Sequence, residues 1–252
     1  WLLLVEFVLI YFIQQGTISW VESLLLMLIY ILYLIYLFKT MRGGESIKYE
    51  EPLSEKETVS LMSAFIILDL KRILIGNKPL NIQKAWVVFV ISSLVIGFVC
   101  YFLVVACEWL GSEQYSVPWV GEFEGLGVPL LFVAIIFAAI GSSFPDTIIS
   151  YKDAQKGNYD DAISNAYGSN IFNLCVALGA PLFFFTLTYG PIVLTKDIID
   201  LISNLSWWFV GLTIFSLFLY TRGSGVNKNQ AVILISSYFV FIVYIFWIAT
   251  NG

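Results

Sequence analysis

The sequence predicts an all-α fold, a polytopic membrane helical bundle. Of its 252 residues, 59% are hydrophobic and 12% are charged, whereas soluble domains average about 45–50% apolar and about 25% charged residues. Most apolar residues lie in runs of about 20, the length of helix that crosses a bilayer core of about 30 Å. The basic residues fall in alternate loops between these runs, which is typical of membrane topology. We therefore expect an integral, multi-pass membrane protein in contact with the lipid bilayer.

The chain opens with the apolar run 1–13, which is short for a complete span. Neither a basic region nor a small-residue cleavage site accompanies it, which argues against a signal peptide. We interpret this run as the tail of a helix that starts upstream. Six further segments are long enough to span a membrane: 20–38, 85–110, 128–150, 162–189, 198–220 and 231–250.

Three parts are predicted along the chain. Residues 1–39 would be the end of a preceding membrane half, with the partial span and one complete span. Residues 40–83 form a loop that begins polar and acidic and turns amphipathic at 60–75. That pattern predicts a helix on the membrane surface, and a small regulatory element is the alternative. Residues 84–252 form a C-terminal half with five spans.

The basic residues also predict the orientation of the chain. Of the 13 lysines and arginines, all except Lys196 lie in the loops 39–84, 151–160 and 222–230. The positive-inside tendency predicts that these loops are cytoplasmic and that the C-terminus is extracellular or lumenal. The opposite face carries the segment 111–127, with three glutamates and no basic residue. We expect a solvated acidic loop there, with a cation-attracting mouth as the alternative.

The residue types present limit the chemistry of the chain. It contains no histidine, so a metal site would use oxygen ligands. Cys100, Cys107 and Cys175 lie inside apolar segments and are expected to be small buried hydrophobic residues without disulfides. Neither a nucleophile with its base nor a phosphate-binding loop is present, which argues against an enzyme. The net charge of −5 argues against nucleic acid as a partner.

A first polar motif interrupts the apolar segment 128–150. It reads Gly-Ser-Ser-Phe-Pro-Asp and ends at Asp146. A carboxylate inside a membrane costs about 2.5–3.5 kcal/mol on insertion scales and marks a partner, a cavity or an ion. On a helix Ser142 shares a face with Asp146, because residues four apart are neighbours. Pro145 has no N–H group, so the Gly141 carbonyl loses its helical partner and the backbone is expected to bend there.

A second polar stripe follows in the next segment. Asp161, Asn165, Ser169 and Asn173 are spaced four residues apart and so lie on one face of an otherwise apolar helix. Gly168 is expected to allow a neighbouring helix to approach closely. Hard cations take oxygen ligands of this kind, so the two motifs together favour an ion pathway. The alternative is that the amides and hydroxyls join helices and that Asp146 pairs with a basic residue from elsewhere.

These two motifs resemble a known family. Residues 139–146 (AIGSSFPD) and 168–173 (GSNIFN) are similar to the second α-repeat of the calcium/cation antiporter superfamily, in particular its sodium/calcium exchanger branch. The resemblance covers about residues 138–181. It implies half of an inverted-repeat cation exchanger fold, in which 84–252 is the C-terminal transport half. The implied activity is secondary active antiport of Ca²⁺ against Na⁺, with both as transported ions and without an organic cofactor.

The resemblance also implies a ligand set for these ions. Asp146 would be the central carboxylate shared by Ca²⁺ and Na⁺, and the Ala139 carbonyl would be a backbone ligand. The implied side-chain ligands besides Asp146 are Ser142, Ser143, Ser169 and Asn173. Potassium-dependent members of the family typically carry Asp at the position of Asn173, so this residue argues against K⁺ co-transport.

One carboxylate does not balance a dehydrated Ca²⁺ ion, and the family's first α-repeat is not found in this sequence. We therefore expect these residues alone to be inactive and to need a partner. The partner would be the N-terminal half of the same exchanger or a companion chain. Two other functions stay open: a cation/proton exchanger in which Asp146 takes up the proton, and a non-transporting, exchanger-like scaffold subunit in the membrane.

Overall fold

The architecture is that of an all-α membrane protein with two short pairs of strands, as seen in a computed structural model that describes residues 1–41, 73, 81–128, 132–222 and 227–251. The predicted fold class is therefore confirmed. In chain order the elements are α1 (Leu2–Gln14), β1 (Thr17–Ile18), α2 (Trp20–Met41), α3 (Ile82–Gly111), β2 (Gln114–Val117), β3 (Gly121–Glu124), a first π-helical segment (Val133–Ala138), α4 (Ala139–Gln155), α5 (Tyr159–Phe172), a second π-helical segment (Asn173–Ala177), α6 (Gly179–Tyr189), β4 (Ile192–Val193), α7 (Lys196–Thr221) and α8 (Lys228–Asn251).

Five helical stretches among the described residues are long and apolar enough to cross a membrane. They coincide with five of the six predicted complete spans: Trp20–Thr40, Ile82–Gly111, Tyr159–Tyr189, Lys196–Thr221 and Lys228–Ile248. The sixth predicted span, 128–150, is helical where it is described, as the first π-helical segment followed by α4. Helix α1 is an apolar helix that is shorter than these spans.

The start of α2 has a local explanation in the sequence. Ser19 precedes the helix, and its backbone N–H donates a hydrogen bond to Glu22 Oε2 at 2.8 Å. The Ser19 hydroxyl bonds to the same carboxylate oxygen. A side chain in the first turn that reaches back to the residue before the helix satisfies a backbone donor that has no intrahelical partner. At the other end, Lys39 lies in the last turn, where a positive charge is stabilised by the helix dipole.

The chain divides into two compact units, one formed by residues 1–44 and 143–252 and the other by residues 45–142. In the second unit, α3 packs against the first π-helical segment.

The acidic segment that was expected to be a solvated loop contains a hairpin, in which Gln114 pairs with Glu124 and Val117 with Gly121. The predicted surface helix at 60–75 lies almost entirely outside the described residues. The predicted boundaries at 39/40 and 83/84 stay predictions.

In the first unit, α2 packs mainly against α6, and α1 packs mainly against α7. Helix α5 and the second π-helical segment also contact α1. A buried apolar cluster joins these elements: Leu2, Val5, Ile171 and Cys175. Strand β1 pairs antiparallel with β4, with Thr17 opposite Val193. The connections before α2 and before α7 therefore lie at the same end of this unit.

The three cysteines are free, as predicted, although their burial differs. Cys107 and Cys175 are buried, whereas Cys100 is exposed on α3. The expectation of a buried position is thus wrong for Cys100, because the side of a membrane helix that faces away from its neighbours is as apolar as the side that packs.

Gly179 allows α6 to approach α2 closely. A Cβ atom at this position would lie 3.4 Å from Met27 Cγ, 3.4 Å from the Ser23 carbonyl oxygen and 3.5 Å from Leu26 Cβ. An alanine would therefore fit, but a longer side chain would collide with the α2 backbone.

We expect Gly179→Leu to lower the stability by about 1–3 kcal/mol through overpacking, whereas Gly179→Ala is tolerated. Gly211→Leu in α7 is the matched control, since a Cβ atom there meets nothing within 4 Å. Thermal unfolding of the purified protein in detergent measures the difference. Equal unfolding midpoints for Gly179→Leu and Gly211→Leu would contradict the close approach of α6 to α2.

Candidate ion-binding site

Asp146 lies in the middle of α4, directly after Pro145, and α4 continues through this proline from Ala139 to Gln155. The side chain of Asp146 is half-buried. It lines two clefts of the first compact unit, one of about 950 Å³ and the other of about 460 Å³. The sequence predicted that this carboxylate faces a partner, a cavity or an ion, and the structure places it beside two clefts.

Asn165 joins α5 to α4 at the position of Asp146. Its Nδ2 donates a hydrogen bond to the Asp146 backbone oxygen at 3.1 Å and another to Ser150 Oγ at 2.9 Å. An amide that bridges two helices inside a membrane fixes their relative register, because the alternative is an unsatisfied polar group in hydrocarbon. The sequence placed Asn165 on a polar stripe but did not assign it this bridging contact.

The hydroxyl groups of the two motifs donate to carbonyls of their own helices. Ser142 Oγ donates to the Ala139 carbonyl at 3.0 Å, and Ser169 Oγ donates to the Ala166 carbonyl at 3.2 Å. Such bonds satisfy the hydroxyl proton locally. The lone pairs of the hydroxyl oxygens stay available to accept a hydrogen bond or to bind a cation.

The structure brings together four of the six predicted ligands. Asp146, Ser169 and Asn173 line the larger cleft. Ser143, Asp146 and Ser169 line the smaller cleft. Ala139 and Ser142 lie earlier on α4, in the second compact unit.

Asn173 begins the second π-helical segment. The Leu178 backbone N–H donates to the Asn173 carbonyl at 2.9 Å, a bond that spans five residues instead of four. Single π-helical turns inside α-helices are frequent at functional sites, because the extra residue changes the direction of the side chains around it. The polar stripe along α5 thus ends at a local change of helix type, which the spacing of four residues did not predict.

Gly168, where the sequence predicted the close approach of a neighbouring helix, lies against a side chain of α2. A Cβ atom at Gly168 would lie 3.5 Å from the Tyr33 hydroxyl oxygen of α2. Tyr30 and Tyr33 of α2 line the larger cleft. The contribution of α2 to this cleft could not be read from the sequence, because it depends on how α2 and α5 pack.

The electrostatic character of the two clefts is set by carboxylates and neutral oxygens. Among the described residues that line them, none is lysine or arginine. Asp161 lines the larger cleft together with Asp146. In the described part of the chain, no group of three or more His, Cys, Asp or Glu side chains is placed to hold a metal ion. A cation in these clefts would therefore be held by few charges and several neutral oxygens.

Similarity to known proteins covers the C-terminal part of the chain. Residues 84–247 match the family model described as "Sodium/calcium exchanger protein". Sodium/potassium/calcium exchanger 3 of Rattus norvegicus is 32% identical over 156 residues, which are 54% of this chain and 24% of that protein. Sodium/potassium/calcium exchanger 1 of Gallus gallus is 30% identical over 141 residues, 54% of this chain and 21% of that protein.

A shorter and more similar match is sodium/potassium/calcium exchanger 4 of Homo sapiens, 38% identical over 80 residues, which are 31% of this chain and 13% of that protein. The matched part of the chain corresponds to about a quarter or less of the length of these relatives. No solved structure matches the chain significantly.

Proposed function

The chain belongs to the sodium/calcium exchanger protein family, and on that premise we propose that it forms the C-terminal half of a secondary active antiporter that exchanges Ca²⁺ for Na⁺. The observation that carries the proposal is the position of Asp146, a carboxylate of an apolar segment that lines two clefts without a lysine or arginine among their described lining residues. Such a carboxylate is costly unless a cation, a proton or a basic partner neutralises it.

Ca²⁺ and Na⁺ would compete for the same oxygens, and this competition couples their movements. Asp146 supplies the charge, and neutral oxygens complete the coordination: Ser142, Ser143, Ser169, Asn173 and the Ala139 carbonyl. Ca²⁺ takes about 6–8 oxygen ligands. With one oxygen each, the six proposed ligands reach only the lower end of that range.

The charge of a bound Ca²⁺ points to a partner. Asp146 leaves one positive charge on a bound Ca²⁺ uncompensated, and that charge is costly inside a membrane. The N-terminal half of the same exchanger or a companion chain would supply a second carboxylate. We expect the 252 residues alone to show no robust exchange after reconstitution.

Two observations support the proposed orientation, with 40–83 cytoplasmic and the C-terminus extracellular or lumenal. The basic residues other than Lys196 lie in loops assigned to one side. The pairing of β1 with β4 holds the connections before α2 and before α7 at one end of the first unit, and both connections belong to the opposite side in this orientation.

The proposal is tested by Ca²⁺ uptake into Na⁺-loaded proteoliposomes that contain the full-length protein. Uptake that follows the Na⁺ gradient supports it. If a pH gradient alone drives uptake, a cation/proton exchanger replaces the proposal. If folded protein gives no ion-dependent flux, a scaffold subunit replaces it.

The role of K⁺ gives a separate prediction. The similar proteins are named sodium/potassium/calcium exchangers, but Asn173 stands where potassium-dependent members of the family typically carry Asp. An uncharged amide adds no attraction for a further cation. We therefore expect replacement of K⁺ by choline to change the initial rate of Ca²⁺ uptake by less than about twofold.

Asn173→Asp is the matched variant for the K⁺ prediction, since it changes an amide into a carboxylate of the same size. We expect K⁺ to stimulate uptake by this variant. Loss of uptake by the unmodified protein in choline medium would show that K⁺ is transported without a carboxylate at this position.

A further inference from the structure

The tip of the hairpin formed by β2 and β3 carries a tryptophan that is fully exposed to solvent. The relative exposure of Trp119 is 103%, and that of Val120 beside it is 68%. None of the five residues from Val117 to Gly121 is charged. Turns in water are built mainly from glycine, proline, asparagine, aspartate and serine, so a tryptophan at this position requires an explanation of its own.

The backbone of Trp119 is also strained. Its φ is 73°, in the left-handed region that residues other than glycine rarely adopt. The Val120 backbone N–H donates to the Val117 carbonyl at 3.1 Å, which closes a turn with Pro118 in the second position and Trp119 in the third. These are the features of a type II turn, whose third position is usually glycine or asparagine. The turn thus keeps a tryptophan where glycine would fit without strain.

Backbone hydrogen bonds hold the base of the hairpin against the end of α3. The Gly125 N–H donates to the Glu113 carbonyl at 2.9 Å. Directly after the hairpin, the Val128 N–H donates to the Leu110 carbonyl in the last turn of α3 at 3.3 Å. The last carbonyls of a helix have no intrahelical partner, so this bond also satisfies an oxygen of α3. The hairpin is therefore fixed to α3 at both of its ends.

An aromatic stack adds to this attachment. The rings of Trp109, in the last turn of α3, and Tyr115, in β2, lie 5.0 Å apart with an angle of 9° between their planes. Tyr115 stacks in turn on Phe123 of β3 at 5.8 Å. The strand residues that alternate with these aromatic residues are polar: Gln114, Ser116, Glu122 and Glu124. The hairpin thus has an aromatic face that continues from α3 and a polar face that suits water.

The position of the hairpin brings its tip within reach of the lipid headgroups. Helix α3 is long and apolar enough to cross a membrane, and it ends at Gly111, shortly before β2. A strand of four residues reaches about 13 Å, whereas the headgroup region on each side of the hydrocarbon core is about 5–8 Å thick. The tip of the hairpin therefore lies close to the surface of the bilayer.

Other tryptophans of the described chain also mark this level of the membrane. Tryptophan is enriched where a span meets water, because the indole combines an apolar ring with an N–H donor. Four tryptophans lie near the ends of candidate spans: Trp20, Trp86, Trp109 and Trp247. This pattern favours lipid over protein as the partner of a further exposed tryptophan next to a span.

We propose that the tip of the hairpin inserts into the headgroup region of the bilayer, with Trp119 as its anchor and Pro118 and Val120 beside it. The segment 111–127 contains three glutamates and no basic residue, so the matching lipid surface is one without net negative charge, such as phosphatidylcholine. The anchor holds the end of α3 at a fixed level of the membrane. The proposal does not rest on ion exchange, since it follows from the exposure, strain and position of Trp119.

The test is the accessibility of a spin label in the full-length protein, reconstituted into phosphatidylcholine nanodiscs. The background variant has its accessible cysteines, Cys100 among them, replaced by serine. O₂ concentrates in the bilayer and a neutral nickel chelate stays in water, so the two relaxation agents report on lipid and on water. A nitroxide attached at Val120→Cys is expected to be more accessible to O₂ than to the chelate. Glu122→Cys, on the polar face two residues away, is the matched control and should show the reverse order.

Trp119→Gly, added to Val120→Cys, tests the anchor itself. Glycine adopts a positive φ without strain, so the turn is retained while the indole is lost. We expect the label then to become more accessible to the nickel chelate than to O₂. A label that reports water while Trp119 is present, or one that stays in lipid after Trp119→Gly, would overturn the proposal. A label shielded from both agents would replace it with a protein partner that covers the tip.

Discussion

Asp146→Asn is expected to lower Na⁺-driven Ca²⁺ uptake by at least about 100-fold, which corresponds to about 2.8 kcal/mol. The substitution keeps the size of the side chain and removes its negative charge. Asp146 lines both clefts of the proposed exchange site, and a divalent cation inside a membrane depends strongly on each carboxylate that holds it. The measurement is the initial rate of Ca²⁺ uptake into proteoliposomes that contain equal amounts of folded protein.

Asp153→Asn is the matched control for Asp146. It makes the same substitution in the same helix, α4, at a position beyond the two clefts. This variant should retain most of the uptake. Equal losses for the two variants would mean that α4 responds to any change of charge, and Asp146 would then have no special role.

Asn165→Leu is expected to reduce uptake by about tenfold and to lower stability as well, because two hydrogen bonds of about 0.5–1.5 kcal/mol each are lost. Asn165 donates both to the Asp146 backbone oxygen and to Ser150 Oγ. Without these bonds α5 no longer holds α4 in register, and Ser169 of α5 moves relative to Asp146 of α4. Thermal unfolding and uptake are measured on the same preparation.

Gln155→Leu is the control for the amide of Asn165. Gln155 is exposed and its Nε2 donates to the Tyr151 hydroxyl within α4, at 2.9 Å, so it connects no second helix. We expect near-normal uptake and stability for this variant. An Asn165→Leu protein with unchanged uptake would show that the bridge to Asp146 does not position the exchange site.

The parts of the fold that were predictable depend on strong physical signals. A run of about 20 apolar residues has few alternatives to a membrane span, and so five of the six predicted complete spans coincide with candidate spans of the described residues, with small errors at their ends. Asp146 stood out because a carboxylate in such a run is costly.

Other features depend on contacts between distant parts of the chain. The donor of the Asp146 backbone bond, Asn165, is chosen by the packing of α5 on α4, which a stripe of polar residues does not specify. The hairpin of β2 and β3 was missed, because four-residue strands resemble a loop in sequence. The change to a π-helix at Asn173 has no sequence signal that a fixed helical repeat could reveal.

Glu6 illustrates the same limit. It is a carboxylate in an apolar run, but that run is shorter than a span, and its partner Thr213 lies 207 residues further along the chain. Only the packing of α1 against α7 shows that the Glu6 carboxylate is buried and that one of its oxygens is unsatisfied among the described residues. The sequence shows a carboxylate in an apolar run, but it does not show that this carboxylate is buried.

Comparison of two driving gradients tests the proposed exchange most directly. The full-length protein is reconstituted into proteoliposomes, and Ca²⁺ uptake is measured with an outward Na⁺ gradient at uniform pH and with a pH gradient in the absence of Na⁺. We expect uptake with the Na⁺ gradient alone, and its loss when the gradient is dissipated by a Na⁺ ionophore. Uptake driven only by the pH gradient, or no uptake by folded protein under either condition, would contradict Na⁺/Ca²⁺ exchange.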